Sequence, residues 1–137
     1  MLKPGDVYTT EVVFKQEDVD DFARITGDYN LVHTDDQYAV KLGFRQRIVH
    51  GMYAASPFSR ILGMSFPGKG SVVMYRELQF VRPVYVNVRY NVQMRLVEVD
   101  YSTHEGFIKS VLKNEKGQIC VKGMSRVKNI EMFSRSV

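Results

Sequence analysis

Gly51-Met52-Tyr53-Ala54-Ala55-Ser56-Pro57-Phe58-Ser59-Arg60-Ile61-Leu62 decides the architecture. Met52, Tyr53, Ala54, Ala55, Phe58, Ile61 and Leu62 leave little polar surface on a helix, and a helix apolar nearly all round belongs in a core. The spacing predicts one helix from about Gly51 to Leu62, with Gly63 as its stop. Pro57 conflicts with that run, because a proline has no N–H and its ring clashes one turn back; a kink or a displaced start is expected. Beyond Phe66-Pro67-Gly68-Lys69-Gly70 the period becomes two. Val84, Val86, Val88, Tyr90, Val92, Met94 and Leu96 are apolar, and Asn87, Arg89, Asn91, Gln93 and Arg95 between them are polar. That is a long strand with one buried face. The apolar phase then moves to Val97, Val99 and Tyr101, which predicts a bulge near Leu96 or Val97.

The flanking segments complete an α+β arrangement, an antiparallel sheet with a buried helix. Val19, Phe22 and Ala23 are spaced as on one helix face, and Glu17, Asp18, Asp20 and Asp21 suit a first turn, so a helix is expected from about Glu17 to Thr26 with Gly27 ending it. Thr34-Asp35-Asp36-Gln37 matches a capping box, so a second short helix should start at Thr34 and close at Gly43. His104-Glu105-Gly106 and Asn114-Glu115-Lys116-Gly117 read as turns, with strands over about 107–113 and 118–128. The tail from Asn129 onward is expected to fray.

At 137 residues the chain reads as a single domain, 1–137, large enough to bury roughly two-thirds of its unfolded surface. Its one cysteine, Cys120, lies in the apolar run Ile119-Cys120-Val121, which predicts an inert buried thiol in a reducing, cytoplasmic setting. No apolar run approaches the roughly 20 residues of a membrane span, and Met1-Leu2-Lys3-Pro4-Gly5-Asp6 lacks the apolar core of a signal peptide. The net charge of +4 is scattered along the chain rather than gathered on one element, which argues against a nucleic-acid reader. It fits a solvated surface, or an anionic small ligand such as one carrying phosphates.

The chemistry is concentrated in Thr26-Gly27-Asp28-Tyr29-Asn30-Leu31-Val32-His33 and Ile48-Val49-His50-Gly51-Met52. Asp28 and His33 set a carboxylate and an imidazole five residues apart beside a turn, and Gly51 opens the apolar helix. A base pair facing a helix N-terminus suits adding water to, or removing it from, a polarised carbonyl compound. The plain reading of the same residues is a turn capped by Asp28 and a packed, hydrogen-bonded His33. The three histidines lack metal-ligand spacing and there is no cysteine cluster, so neither zinc nor any other metal is expected. Pro67-Gly68-Lys69-Gly70 lacks the spacing of a nucleotide-binding loop.

These blocks resemble the MaoC-like, or type 2, (R)-specific enoyl-thioester hydratase–dehydratase family. Phe22, Gly27, Asp28, Asn30, His33 and Ala39 fit its motif of an aromatic, Gly-Asp-x-Asn-Pro-Leu-His and a small residue six positions on. Ile48-Val49-His50-Gly51-Met52 through Phe58-Ser59 resembles its helix block, Leu62-Gly63 through Pro67-Gly68-Lys69-Gly70-Ser71 the following turn, and Phe80 with Pro83-Val84 its Phe-x-x-Pro-Val spacing. The resemblance runs from about Val7 to Val127. It implies a hot-dog fold, a curved antiparallel sheet wrapped around the central helix, and a homodimer. It also implies hydration of trans-2-enoyl thioesters of coenzyme A or acyl carrier protein to (R)-3-hydroxyacyl thioesters, or the reverse, with no bound cofactor.

In that scheme Asp28 and His33 hold the reacting water, the Gly51 N–H meets the thioester oxygen, Ser59 hydrogen-bonds the catalytic carboxylate, and Asn30 organises the turn. His50 is assigned a structural role and His104 an exposed turn. A hot-dog thioesterase and a non-catalytic acyl-thioester binding module are the alternatives. Two departures stand out: the motif proline is Leu31, and Pro57 sits inside the helix that carries Gly51 and Ser59.

Overall fold

The computed structural model describes residues 2–135. Strand β1 spans Val7–Val13, helix α1 Gln16–Thr26, α2 Asp36–Lys41, α3 Gly51–Ala54 and α4 Ser56–Met64. Strands β2 (Val72–Phe80), β3 (Arg89–Asp100), β4 (Glu105–Lys113) and β5 (Ile119–Lys128) follow. The five strands form one antiparallel sheet in the order β1-β3-β4-β5-β2.

The core lies between the sheet and α3–α4. Tyr90, Val92, Met94 and Leu96 of β3 bury their side chains, as alternation requires, beside Ile108 and Leu112 of β4. They meet Ala54, Phe58, Ile61 and Leu62 from the two helices in one apolar cluster. Burying one such large side chain contributes roughly 1.5–3 kcal/mol. The bulge expected near Leu96 is present: the β3–β4 register shifts between Leu96 and Glu98, moving the following side chains to the other phase. Cys120 is buried, and burial pushes its thiol pKa up, as expected of an unreactive group.

Six local expectations are corrected. The long helix is two: α3 ends at Ala54, Ala55 joins the segments, and α4 restarts at Ser56 with Pro57 in its first turn. There the missing N–H costs no helical bond, so the proline starts a helix rather than kinking one. Gly63 is not the stop but lies inside α4, which runs to Met64 with Ser65 as its C-cap, two residues on. The cap of α2 is Asp35 rather than Thr34; its carboxylate accepts from the N–H groups of Gln37 and Tyr38. Residues 84–88 are not strand. Asn87 has φ 61°, in the left-handed region, although Val84 is buried and Val86 and Val88 still pack on the core. Finally, the tail does not fray as far as residue 135, and residues 136–137 lie outside the described residues. Asn129 donates to Lys69 O and Ser71 Oγ, Phe133 is fully buried, and half-buried His104 is no exposed turn residue, since its Nδ1 bonds Phe133 O.

Two strands lie outside the expected set, β1 and β2, and both are sheet edges. In β2 only Arg76 and Leu78 are half-buried, so its sequence carries no clean alternation. Val72, Val73, Met74, Tyr75 and Phe80 are exposed along it. No helix among the described residues is long and apolar enough to cross a membrane.

Candidate active site

The turn after α1 is built by its own side chains. Gly27 takes φ 79° and donates its N–H to Ala23 O, which ends the helix as expected. Thr26 Oγ1 donates to Phe22 O at 2.7 Å and accepts from Asp28 N at 3.2 Å. Asp28 Oδ1 accepts from Asn30 N at 3.2 Å, and Asn30 Oδ1 from Val32 N. Asn30 thus caps a short 3-10 turn, Leu31–His33, and organises the loop. Leu31 occupies the first position of that turn, where a backbone N–H has no helical acceptor to lose. Holding the turn therefore falls to the Asx and Thr bonds in place of a fixed proline angle.

His33 is delivered into the protein by this turn and is 8% exposed. Its Nδ1 lies 2.8 Å from Ile48 O. A carbonyl only accepts, so Nδ1 carries the proton and Nε2 presents a lone pair. Burial lowers the His33 pKa below the ordinary histidine value. The Ile48 carbonyl opposes that shift, neighbouring His50 adds to it, and Asp28 opposes it. The outcome is a neutral imidazole able to accept a proton near neutral pH.

His50 is the residue whose part is larger than its sequence position suggests. It is buried, its ring stacks on His33 with centroids 3.8 Å apart, and its Nε2 donates to the backbone O of Asp28 at 3.0 Å. Phe22 packs on its other side, with ring centroids 4.9 Å apart. His50 thereby ties the Asp28 turn to the His33 ring from the position just before α3. One side-chain ligand atom from each of Asp28, His33 and His50 lies within 4.8 Å of the other two. His50 joins the two from a segment 22 residues beyond Asp28, a contact that spacing along the chain does not record.

Gly51 is the first residue of α3, so its N–H has no acceptor within the helix. A Cβ there would lie 2.9 Å from the Phe80 ring, so only glycine leaves this backbone open beside that side chain. Two cavities meet at Gly51 and Phe80. One, about 400 Å³, is lined by His33, Ile48, Gly51, Ala54 and Phe80; the other, about 490 Å³, by Phe22, Asp28, His50, Gly51 and Phe80. Each is of small-molecule size, and each contributes one member of the Asp28–His33 pair.

Ser59 falls outside this cluster. Its Oγ accepts from Arg76 Nη1 of β2, and Asp28 is not its partner within the chain. Gly51 and Ser59 are eight residues apart, which at helical rise is about 12 Å. The expected Ser59–Asp28 hydrogen bond is therefore corrected for the single chain. His50 keeps the structural role assigned to it, and the Phe80 ring is the residue that geometry adds to the site.

Comparison with known proteins places this geometry. The model of the MaoC-like domain family matches residues 3–122. A mitochondrial 3-hydroxyacyl-[acyl-carrier-protein] dehydratase of Arabidopsis thaliana is 42% identical over 86 residues, which cover 63% of this chain and 51% of the relative, so the match spans about half of that protein's length. An (R)-specific enoyl-CoA hydratase of Aeromonas caviae is 31% identical over 115 residues, 84% of this chain and 86% of the relative. A solved structure, described as the (R)-hydratase from A. caviae involved in PHA biosynthesis, superposes with a TM-score of 0.88 at 30% identity, covering 93% of this chain and 97% of the other. The five-stranded sheet around α3–α4 is the hot-dog fold of these neighbours.

Proposed function

As the chain belongs to the MaoC-like domain family, we propose that it adds water to trans-2-enoyl thioesters to give (R)-3-hydroxyacyl thioesters, or runs the reverse dehydration. The observation that carries this reading is the convergence of Asp28 and His33, within 4.8 Å, beside the open backbone of Gly51. A water bridging the two side chains attacks the β carbon. His33 Nε2 and Asp28 take its proton as the C–O bond forms, electron density moves from the double bond to the thioester oxygen, and the same proton goes to the α carbon. The Gly51 N–H faces the oxygen where charge develops. The break at Ala55 leaves α3 with only four residues, so this donor acts through its own N–H rather than through a long helix dipole.

Substrates are thioesters of coenzyme A or acyl carrier protein. No metal or bound cofactor takes part, so exhaustive dialysis against a chelator leaves turnover unchanged; a loss restored by zinc would refute this. A homodimer is proposed from the β2 edge, whose unpaired backbone and exposed Val72, Val73, Met74 and Tyr75 form a face that a second copy would cover. A cytoplasmic location agrees with the single buried thiol.

Crotonyl-coenzyme A tests the reaction class. Loss of the enoyl absorbance with (R)-3-hydroxybutyryl-coenzyme A as the only product supports the reading. Release of free thiol would mark a thioesterase, binding without either change a non-catalytic module, and (S) product a misplaced water.

A further inference from the structure

Of the two charged residues of β2, Arg76 is the one on the face that meets the helices. Phe80, Leu78 and Arg76 alternate along that face, paired with Val121, Gly123 and Ser125 of β5. Arg76 is half-buried. Its Nη1 donates to Ser59 Oγ of α4, and its Nε donates to Ser125 Oγ, on a buried residue, at 3.3 Å. Its Nη2 is buried and has no acceptor, and Arg76 belongs to no ion pair among the described residues. A guanidinium drawn partly out of water without a counter-charge is half of an ion pair.

The surroundings define the missing half. Ser59 is exposed; it accepts from Arg76 and keeps its hydroxyl hydrogen to give. Together with Nη2 it offers two donors beside a positive charge, which a carboxylate with its two acceptor oxygens satisfies. Burial also pulls the Arg76 pKa below the ordinary arginine value, a shift that a bound carboxylate opposes.

Its place in the fold says which carboxylate. The helix pair α3–α4 meets β2 at two points, the Gly51 backbone against the Phe80 ring and Ser59 against Arg76. Gly51 and Ser59 are about 12 Å apart along the helices, and Phe80 and Arg76 about 13 Å apart along the strand. Gly51, Ala55 and Ser59 are spaced four residues apart and share one helix face, and Ala55 N bonds Gly51 O at 3.0 Å. The lane between the two contacts is apolar, with buried Ala55 on the helix side and Leu78 on the strand side. Leu78 lies down over Gly123, where an added Cβ would stand 3.0 Å from Leu78 Cδ2. An oxyanion donor at one end and a cation at the other thus bracket a hydrocarbon surface.

We infer that the acyl group of the substrate ends in a carboxylate held by Arg76 and Ser59, so that the preferred substrates are half-thioesters of dicarboxylic acids. The inference rests on the thioester reading above and names its acyl class. With the thioester oxygen at the Gly51 N–H, the acyl chain lies over Ala55 and Leu78, and its charged end reaches the guanidinium. A chain with a plain methyl end would leave Arg76 Nη2 without an acceptor and cover a cation with hydrocarbon, which disfavours it.

The test is a set of trans-2-enoyl-coenzyme A thioesters of six, eight and ten carbons, each made with a terminal carboxylate and with a terminal methyl group. The ratio of kcat/KM values, carboxylate over methyl, should be about tenfold or more at one length at least, the size expected of a single charge-assisted pair. It should fall by about the same factor in Arg76→Gln, and by less in Arg76→Lys, which keeps the charge and loses the fork. A native ratio below about threefold at every length overturns the inference without any variant, even where crotonyl-coenzyme A is hydrated. So does an unchanged ratio in folded Arg76→Gln; if that variant also turns a dimer into a monomer on a sizing column, the guanidinium serves a second copy instead. If the native protein hydrates no enoyl thioester, the reaction class fails on its own and calorimetry decides the site. Suberyl-coenzyme A binding more tightly than octanoyl-coenzyme A, with the difference lost in Arg76→Gln, upholds it, and equal or absent binding removes it.

Discussion

Gly51→Ala separates catalysis from stability. Gly51 lies outside the positive-φ set, so alanine can adopt its backbone angles. Near a helix start alanine is favoured over glycine by up to about 1 kcal/mol. Against this, the new Cβ would sit 2.9 Å from Phe80 Cε1 and 3.1 Å from Cδ1. Overpacking of that kind costs about 1–3 kcal/mol in a closed core. Phe80 is 53% exposed, so its ring can turn outward and the cost falls at the low end. The two effects nearly cancel, and the unfolding free energy should change by less than about 1 kcal/mol, a shift of roughly 3–5 °C in Tm at most.

The rate should respond quite differently. The methyl group occupies the approach to the Gly51 N–H, and loss of one such donor lowers kcat on the order of 100-fold, about 2.7 kcal/mol. The assay is the enoyl absorbance of crotonyl-coenzyme A, with circular dichroism to follow unfolding. Phe80→Leu is the control, since it changes the ring and leaves the amide open. Turnover of Gly51→Ala within about threefold of the native rate, in a folded protein, would refute the role of this N–H. A 100-fold loss in Phe80→Leu would assign the effect to the ring instead.

Four further outcomes are expected. Asp28→Asn and His33→Ala should each lower kcat on the order of 100- to 10,000-fold, and the double variant should be scarcely worse than the worse single one, since both groups hold one water; steady-state rates that fall additively would refute this. Burial holds the His33 pKa below its ordinary value of about 6.5, so the acid limb of kcat/KM should begin only below that pH, and a limb centred above it would contradict a neutral base. In the window between the lowered folded pKa and the ordinary unfolded one the unfolded chain binds the extra proton; stability at His33 is therefore full above the window and lost as pH falls through it, a slope that His33→Ala should reduce in urea titrations. Leu31→Pro places proline at the first position of the 3-10 turn and should raise stability by about 0.4–1 kcal/mol with turnover kept, whereas a fall in Tm would show that the turn needs a different backbone angle.

Elements with strong period or strong punctuation were legible in the sequence. Val19 and Ala23 with Gly27 marked α1, and Tyr90 to Leu96 marked β3 together with its bulge. Legibility failed where hardly any side chain is buried. The edge strand β2 shows neighbouring Val72, Val73, Met74 and Tyr75 all exposed, so no alternation records that it is a strand. Pro57 was readable as a conflict, yet its resolution depended on whether Ala55 could end one helix and let another begin, which propensity alone does not decide. Asn129 and Phe133 looked like a loose end because their partners, Ser71 and His104, lie far back in the chain.

The site was legible as residue types and much less as connections. Asp28, His33 and Gly51 could be named because the chemistry of adding water needs a base pair and a donor, and their local turns carry punctuation. His50 could not be given its place, because its effect depends on three contacts made in space: Asp28 O, the His33 ring and the Phe22 ring. Those contacts explain how a motif lacking its proline still presents His33 in one orientation. Ile48 O fixes the protonated nitrogen from one side, and the stacked His50 ring limits rotation from the other. The Asp28 turn is held by the same imidazole that covers His33, so the spacing between the two reacting groups is set by His50 rather than by either group alone. What the sequence supplied at position 31 as flexibility, the fold removes at position 50 by packing.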